Sequence, residues 1–340
     1  MFKGALSSLF IIVSFSSLST NFKVSIFEEN LNAKTYEDSS NSRKESWAYL
    51  SYVVNVDGKP ENIEVISSSK SKDKKAKAKQ YVENLRYIPA NRNGKPIKTE
   101  RTFLLKFQKS LWGNPNDGIS VHFSRGYDEA NKLIEKGHLE EASSVLLDLE
   151  ENKVKNLTEQ AYFSWLSSIY YSKTKEWGKY QSATYDAWVL KEKLTDQYAY
   201  IVTKNLIDYA LYDLEYQFAL DVLNSMKRLT GVNLTEDGYS EYQALITASL
   251  NAQQEIKKSY VVDKEDTITY HRIVKSQLSV QDVVGKIIRI ELRCRNYFKS
   301  LQRTTDIEIP IDGAHCKLLL EGQVGTEFTV IETGNNILLN

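Results

Sequence analysis

Three observations predict an α+β chain of several domains. Period-two apolar runs flank a lysine-rich helical stretch in residues 46–109. Helical periodicity fills residues 124–258. Alternating runs broken by Gly and Asp-Gly then return in residues 260–340. The expected architecture is a small ββαβ domain, an α-helical array and a small all-β domain. The length of 340 residues exceeds one typical core and agrees with that division.

Composition narrows the function. Hydrophobic residues make up 41% and charged residues 26%, which is globular and not disordered. Basic and acidic residues balance at 44 each, so no global field draws nucleic acid or anionic lipid. The first residues stand apart. Lys3 precedes the apolar, serine-diluted run Ala5 to Leu18, and Ser17-Leu18-Ser19 supplies small residues for cleavage before Thr20. That is the layout of a secretory signal peptide over residues 1–19. A spanning helix wants about 20 consecutive apolar residues, so an uncleaved anchor is the rival and no stable span is expected after cleavage. Residues 20–45 are polar and read as a flexible lead-in.

The next sixty residues are the most informative. Ala48, Leu50, Tyr52 and Val54 alternate with Tyr49, Ser51 and Val53, giving a strand. Asp57-Gly58 is a hairpin turn, and Ile63, Val65 and Ile66 carry the returning strand. A helix follows from about Lys72 to Leu85, with Ala78, Tyr81, Val82 and Leu85 on one stripe. Six lysines between Lys70 and Lys79 mark its solvated side. Pro89 forbids continuation. Asn93-Gly94 turns the chain into a last strand, Thr99 to Phe107, with Phe103, Leu105 and Phe107 on one face.

The ordered set Val54-Asn55-Val56-Asp57-Gly58, Val65-Ile66-Ser67-Ser68-Ser69, Tyr87-Ile88-Pro89-Ala90 and Asn93-Gly94-Lys95-Pro96 resembles the TonB C-terminal domain. The resemblance implies a domain that grips envelope or outer-membrane proteins by adding a strand to its sheet. It implies the last strand as the binding edge, with Arg101, Phe103 and Leu105 as candidates. It also implies periplasmic exposure and a possible link to outer-membrane transport. The chain differs from the energy-transducing members. No histidine lies in residues 1–20, residues 21–45 contain no proline, and some 230 residues follow the domain. Two other roles remain open: a membrane-anchored energy-transducer component facing the periplasm, and a structural protein that dimerises through the same edge.

Within the helical region, Gly137-His138-Leu139-Glu140-Glu141-Ala142 is echoed by Gly178 to Ala183 and by Leu214 to Ala219. This resembles the start of the second helix in tetratricopeptide repeats, where Gly eases the turn and Ala permits close contact. Tyr162, Trp165, Ile169, Tyr170, Tyr185 and Trp188 read as core.

Only two cysteines occur, Cys294 and Cys316. In an oxidising compartment the expectation is a disulfide. Two separate thiols are the other reading, and a zinc site with His315 lacks an evident fourth ligand. Four histidines, no G-x-S-x-G, no H-E-x-x-H and no phosphate-binding loop leave no catalytic site, metal or cofactor to assign. The expected role is therefore protein binding.

Overall fold

The computed structural model describes residues 22–27, 44–69, 72–108, 110–111, 114–115, 118–227, 229, 236–264, 267–302, 307–309 and 315–337. The expected signal peptide lies outside the described residues.

The first unit contains β1 (Phe22–Lys23), β2 (Ile26–Phe27), β3 (Ser46–Val54), β4 (Pro60–Ser68), α1 (Lys72–Glu83), β5 (Tyr87–Ile88), β6 (Ala90–Arg92), β7 (Lys95–Ile97) and β8 (Thr99–Phe107). Its main sheet is antiparallel, in the order β4-β3-β8. Period-two alternation sends Ala48, Leu50, Tyr52 and Val54 to one face of β3. There they meet Leu105 and Phe107 of β8 and Ala78 and Val82 of α1. The β3–β4 turn needs its glycine twice over. Gly58 has φ +75°, and a Cβ on it would lie 1.8 Å from the Tyr87 carbonyl oxygen. Pro89 separates β5 from β6, and Asn93 and Gly94, both at positive φ, close the β6–β7 hairpin.

The lead-in needs correction. Residues 22–27 are not a free tether: Phe22 and Lys23 pair with Arg92 and Asn91, and Ile26 and Phe27 pair with Ile88 and Tyr87. The unpaired edges left by the Pro89 step take up these short strands, a tertiary effect with no local sequence signal.

A short ribbon follows, β9 (Ser110–Leu111) with β10 (Asn114–Pro115). The array then runs α2 (Val121–Lys136), α3 (Leu139–Asp148), a π turn at Leu149–Lys153, α4 (Leu157–Thr174), α5 (Trp177–Val189), a 3-10 turn at Lys191–Lys193, α6 (Asp196–Tyr212), α7 (Tyr216–Met226) and α8 (Glu236–Asn251). Ser120, Asn156 and Thr195 cap α2, α4 and α6 by accepting the backbone N–H three residues on. The echoed segments fall at the second members of the pairs α2/α3, α4/α5 and α6/α7, and Ala142, Ala183 and Ala219 are buried. The glycine expectation holds only once. Gly137 ends α2 at φ 78°, whereas Lys175 and Leu214 take the left-handed position in the other two turns. Gly178 sits inside α5, where it turns nothing.

The last unit comprises β11 (Ile256–Val261), β12 (Ile268–Arg272), β13 (Lys275–Val284), β14 (Ile287–Cys294), β15 (Tyr297–Leu301), β16 (Ile307–Glu308), β17 (Lys317–Gly322) and β18 (Glu327–Asn336). Two antiparallel sheets, β11-β18-β13-β16 and β12-β17-β14-β15, enclose one core that includes Leu278, Val280, Ile290, Leu292, Leu318, Leu320, Phe328 and Val330. Cys294 and Cys316 form a disulfide within that core. Both thiols are thereby consumed, so neither serves a metal.

The three units are joined through β3, whose second face is buried too. Trp47 and Tyr49, with Leu104 of β8, pack among Leu157, Ala161, Trp165 and Leu190 of the array. Glu45 fastens the same junction: its carboxylate accepts the Leu157 N–H at 2.9 Å, and its carbonyl accepts the Gln160 amide at 2.6 Å. The β sandwich contributes Arg293, which is fully buried. Its guanidinium reaches Glu291 at 2.6 and 2.8 Å, the Ser51 hydroxyl at 3.2 Å and the Asn62 carbonyl at 3.1 Å. Array and sandwich meet at Glu215, which accepts from Lys258 at 2.6 Å and Arg272 at 3.1 Å.

Arg293→Ala is expected to lower the unfolding free energy by about 3 kcal/mol in urea titrations, because Glu291 stays buried with part of its pairing lost. Replacing both cysteines by serine, closing no loop across the 22-residue separation, is expected to cost about 3 kcal/mol. The same loss should follow reductant treatment of the unaltered chain. Burial would raise the Glu215 carboxyl, but Arg272 and Lys258 outweigh it and hold the group below the ordinary carboxylate range. Its contribution is complete above the unfolded value of about 4.3 and is lost as pH falls through the lower folded value. Melting temperature should therefore drop more steeply below about pH 4 in the parent chain than in Glu215→Gln.

Candidate protein-binding edge

The ββαβ unit offers two outer strands, and the chain treats them differently. β4 is irregular. Its pairing with β3 shifts register between Tyr49 and Leu50 and again between Ser51 and Val53, and Asn62 has φ 51°. Bulges of this kind twist an edge away from further pairing. The sandwich also occupies β4 directly: Asn62 meets Glu291 at 2.9 Å and Glu64 meets Arg289 at 2.7 Å.

β8 is the regular edge. All nine of its residues pair with β3 in unbroken register, from Thr99 with Val54 to Phe107 with Ser46. Among the described residues no strand pairs with its other side. The sandwich strands β14 and β15 approach it near its beginning, where Lys98 lies over the Phe298 ring and Glu100 meets Lys317 at 3.2 Å.

The three residues expected at the edge all lie on the α1 side of β8, with graded burial. The Arg101 guanidinium donates to the Ser25 carbonyl at 3.1 Å and sits over the Tyr87 ring at 5.6 Å. Phe103 is half-buried and stacks on Tyr81 at 5.9 Å. Leu105 is 6% exposed and belongs to the core. Phe103 and Leu105 therefore anchor the strand to its own unit. On the opposite face Thr102 is exposed, Leu104 packs toward the array, and Lys106 pairs with Glu192.

The motif residues fix this geometry. Asp57 and Gly58 close the β3–β4 turn, and the Gly58 carbonyl accepts the Tyr87 N–H at 2.9 Å. The Tyr87 hydroxyl is hydrogen-bonded to that of Tyr52. Burial raises both phenols above their ordinary value, so the pair is neutral at physiological pH. Ala90, Asn93, Gly94 and Pro96 build the β6–β7 hairpin that leads into β8, and Ala90 is fully buried.

Beside the first half of β8 lies a polar cleft of about 470 Å³ shared by all three units. Arg101, Thr102, Glu100, Arg295, His315 and Lys317 line it. Glu100 also accepts the Ser51 hydroxyl at 2.6 Å, and His315 lies 3.3 Å from Asp221. Arg295 is exposed and forms no ion pair among the described residues. Sequence reasoning did not find this group, because Glu100 and Lys317 are 217 positions apart. One local signal existed. Arg295 follows Cys294, and His315 and Lys317 flank Cys316, so the disulfide gathers these charged neighbours.

A three-stranded antiparallel sheet with one helix, β8 having no second strand neighbour among the described residues, defines a small α+β domain. Residues 38–108 match the family model for the Gram-negative bacterial TonB protein C-terminal. The match ends at β8, and the array and the sandwich lie outside it. TonB-family proteins belong to the cell envelope. Among the described residues no helix is long and apolar enough to cross a membrane. No curated protein matches the chain.

Proposed function

We propose that the chain is a periplasmic adaptor that binds envelope partners through the outer edge of β8. An extended partner segment would add to the sheet by backbone hydrogen bonds, and the 470 Å³ cleft would take a side chain at one end. The observation that carries this reading is the contrast between the edges: β4 is bulged and occupied, while β8 from Thr99 to Leu105 is regular and without a second strand neighbour among the described residues. Its backbone is held in shape from both faces of the sheet, which reduces the ordering cost of binding. The role is recognition and not catalysis, and a link to outer-membrane transport would run through the identity of the partner.

Photo-crosslinking in intact cells tests it. A benzophenone side chain at Thr102 or Lys106 should give an adduct with one and the same envelope protein. The same probe at Ile66 on β4 should give none. Adducts only with a second copy of the chain would replace the adaptor by a dimer. Equal adducts from β4 and β8 would remove the edge from the mechanism.

A further inference from the structure

One aromatic surface of the array lies outside its core clusters. Trp177, at the start of α5, is 54% exposed, and Tyr212, at the end of α6, is 83% exposed. Tyr180 and Tyr209 lie between them, half-buried. The four rings follow one another at centroid distances of 5.9, 6.1 and 6.4 Å. None belongs to a core cluster, unlike Trp165, Tyr185 and Trp188. Leaving Trp177 and Tyr212 open at the ends of this row is costly unless something else covers them.

These rings line a pocket of about 340 Å³ together with Asn205 and Asp208. That volume lies within the usual range for small-ligand sites, about 300–1,000 Å³. Its electrostatics are one-sided. No lysine, arginine or histidine lines it. Asp208 is exposed and has no hydrogen-bond or ion-pair partner among the described residues. Lys179, close in sequence to Trp177 and Tyr180, is directed elsewhere: it pairs with Glu176 at 2.6 Å and lies over the Tyr171 ring at 5.4 Å. The Tyr180 hydroxyl also registers the carboxylate, since burial raises it and Asp208 adds to the rise. Electron-rich ring faces and an uncompensated carboxylate attract the same kind of guest.

We propose that this pocket binds an organic cation, an alkylammonium or guanidinium group whose charge meets Asp208 and whose alkyl body lies against the rings. The site stands apart from the β8 edge and shares no residue with it. A free small cation and a basic side chain carried by a protein have the same chemistry here, and the test separates them.

Calorimetric titration of the full chain with tetramethylammonium, with N-acetyl-lysine methylamide and with the neutral isostere 3,3-dimethylbutan-1-ol reads the site. Both cations should bind, and the neutral compound should bind at least roughly tenfold more weakly. Trp177→Ala and Asp208→Asn, both at exposed positions, should each weaken cation binding about tenfold, with melting temperature unchanged. Tighter binding of the lysine derivative supports a protein side chain as the guest, and tighter binding of tetramethylammonium supports a free amine. Equal binding of the neutral isostere overturns the proposal. So does full cation affinity in Asp208→Asn, or a maltose titration that matches the cations.

Discussion

The structure depends on a single strand buried on both faces. β3 alternates as a half-exposed strand of a small domain would, yet of its nine residues only Tyr49 is less than fully buried. One face holds the helix of its own unit through Leu50, Tyr52 and Val54. The other receives the array through Trp47 and the sandwich through Ser51. An antiparallel sheet ordinarily leaves one face to water. Here that face joins the sheet to both the array and the sandwich, which also meet each other directly at Glu215.

The two halves of the joint use different physics. Toward the array the contact is apolar, with Trp47 placed among leucine, alanine and Trp165, and burial of one large ring supplies much of the stabilisation. Toward the sandwich it is polar and ionic: Arg293, Glu291, Ser51, Asn62, Glu100 and Lys317 satisfy one another. Such a network contributes less net stability than an apolar packing of equal volume, but it tolerates few alternative arrangements. It therefore fixes the angle between sheet and sandwich, and with it the approach to β8.

That arrangement makes the two edges of the TonB-like sheet unlike. The sandwich lies over the face of the sheet and uses β4, and it meets β8 at Glu100 near its start. The edge of β8 is thus neither free along its whole length nor closed. Its first half opens on a charged cleft, and its second half is a regular strand held by Phe103, Leu105 and Phe107. A guest strand would meet a backbone ladder of defined length with a polar pocket at one end. The array adds an aromatic surface that shares no residue with this edge, so recognition need not be confined to the match with residues 38–108.

Local patterning fixed much of this in advance. Alternation in residues 48–54, the Asp57-Gly58 turn, the Pro89 step and the Asn93-Gly94 hairpin are each governed by φ/ψ limits within a few residues, and the ββαβ order followed from them. The helical echo at Ala142, Ala183 and Ala219 located the second helix of each pair for the same reason, since a small residue is required where helices touch. The edge candidates were less legible. The period of two put Arg101, Phe103 and Leu105 on one face, but it does not say whether that face is core or surface, and α1 made it core. Only the tertiary structure decided the rest. Residues 22–27 became strands because an edge elsewhere needed partners, and Glu100 met Lys317 because two sheets chose a common face. Contacts between residues separated by a hundred positions or more depend on the shapes of folded units, and no local window of sequence carries that information.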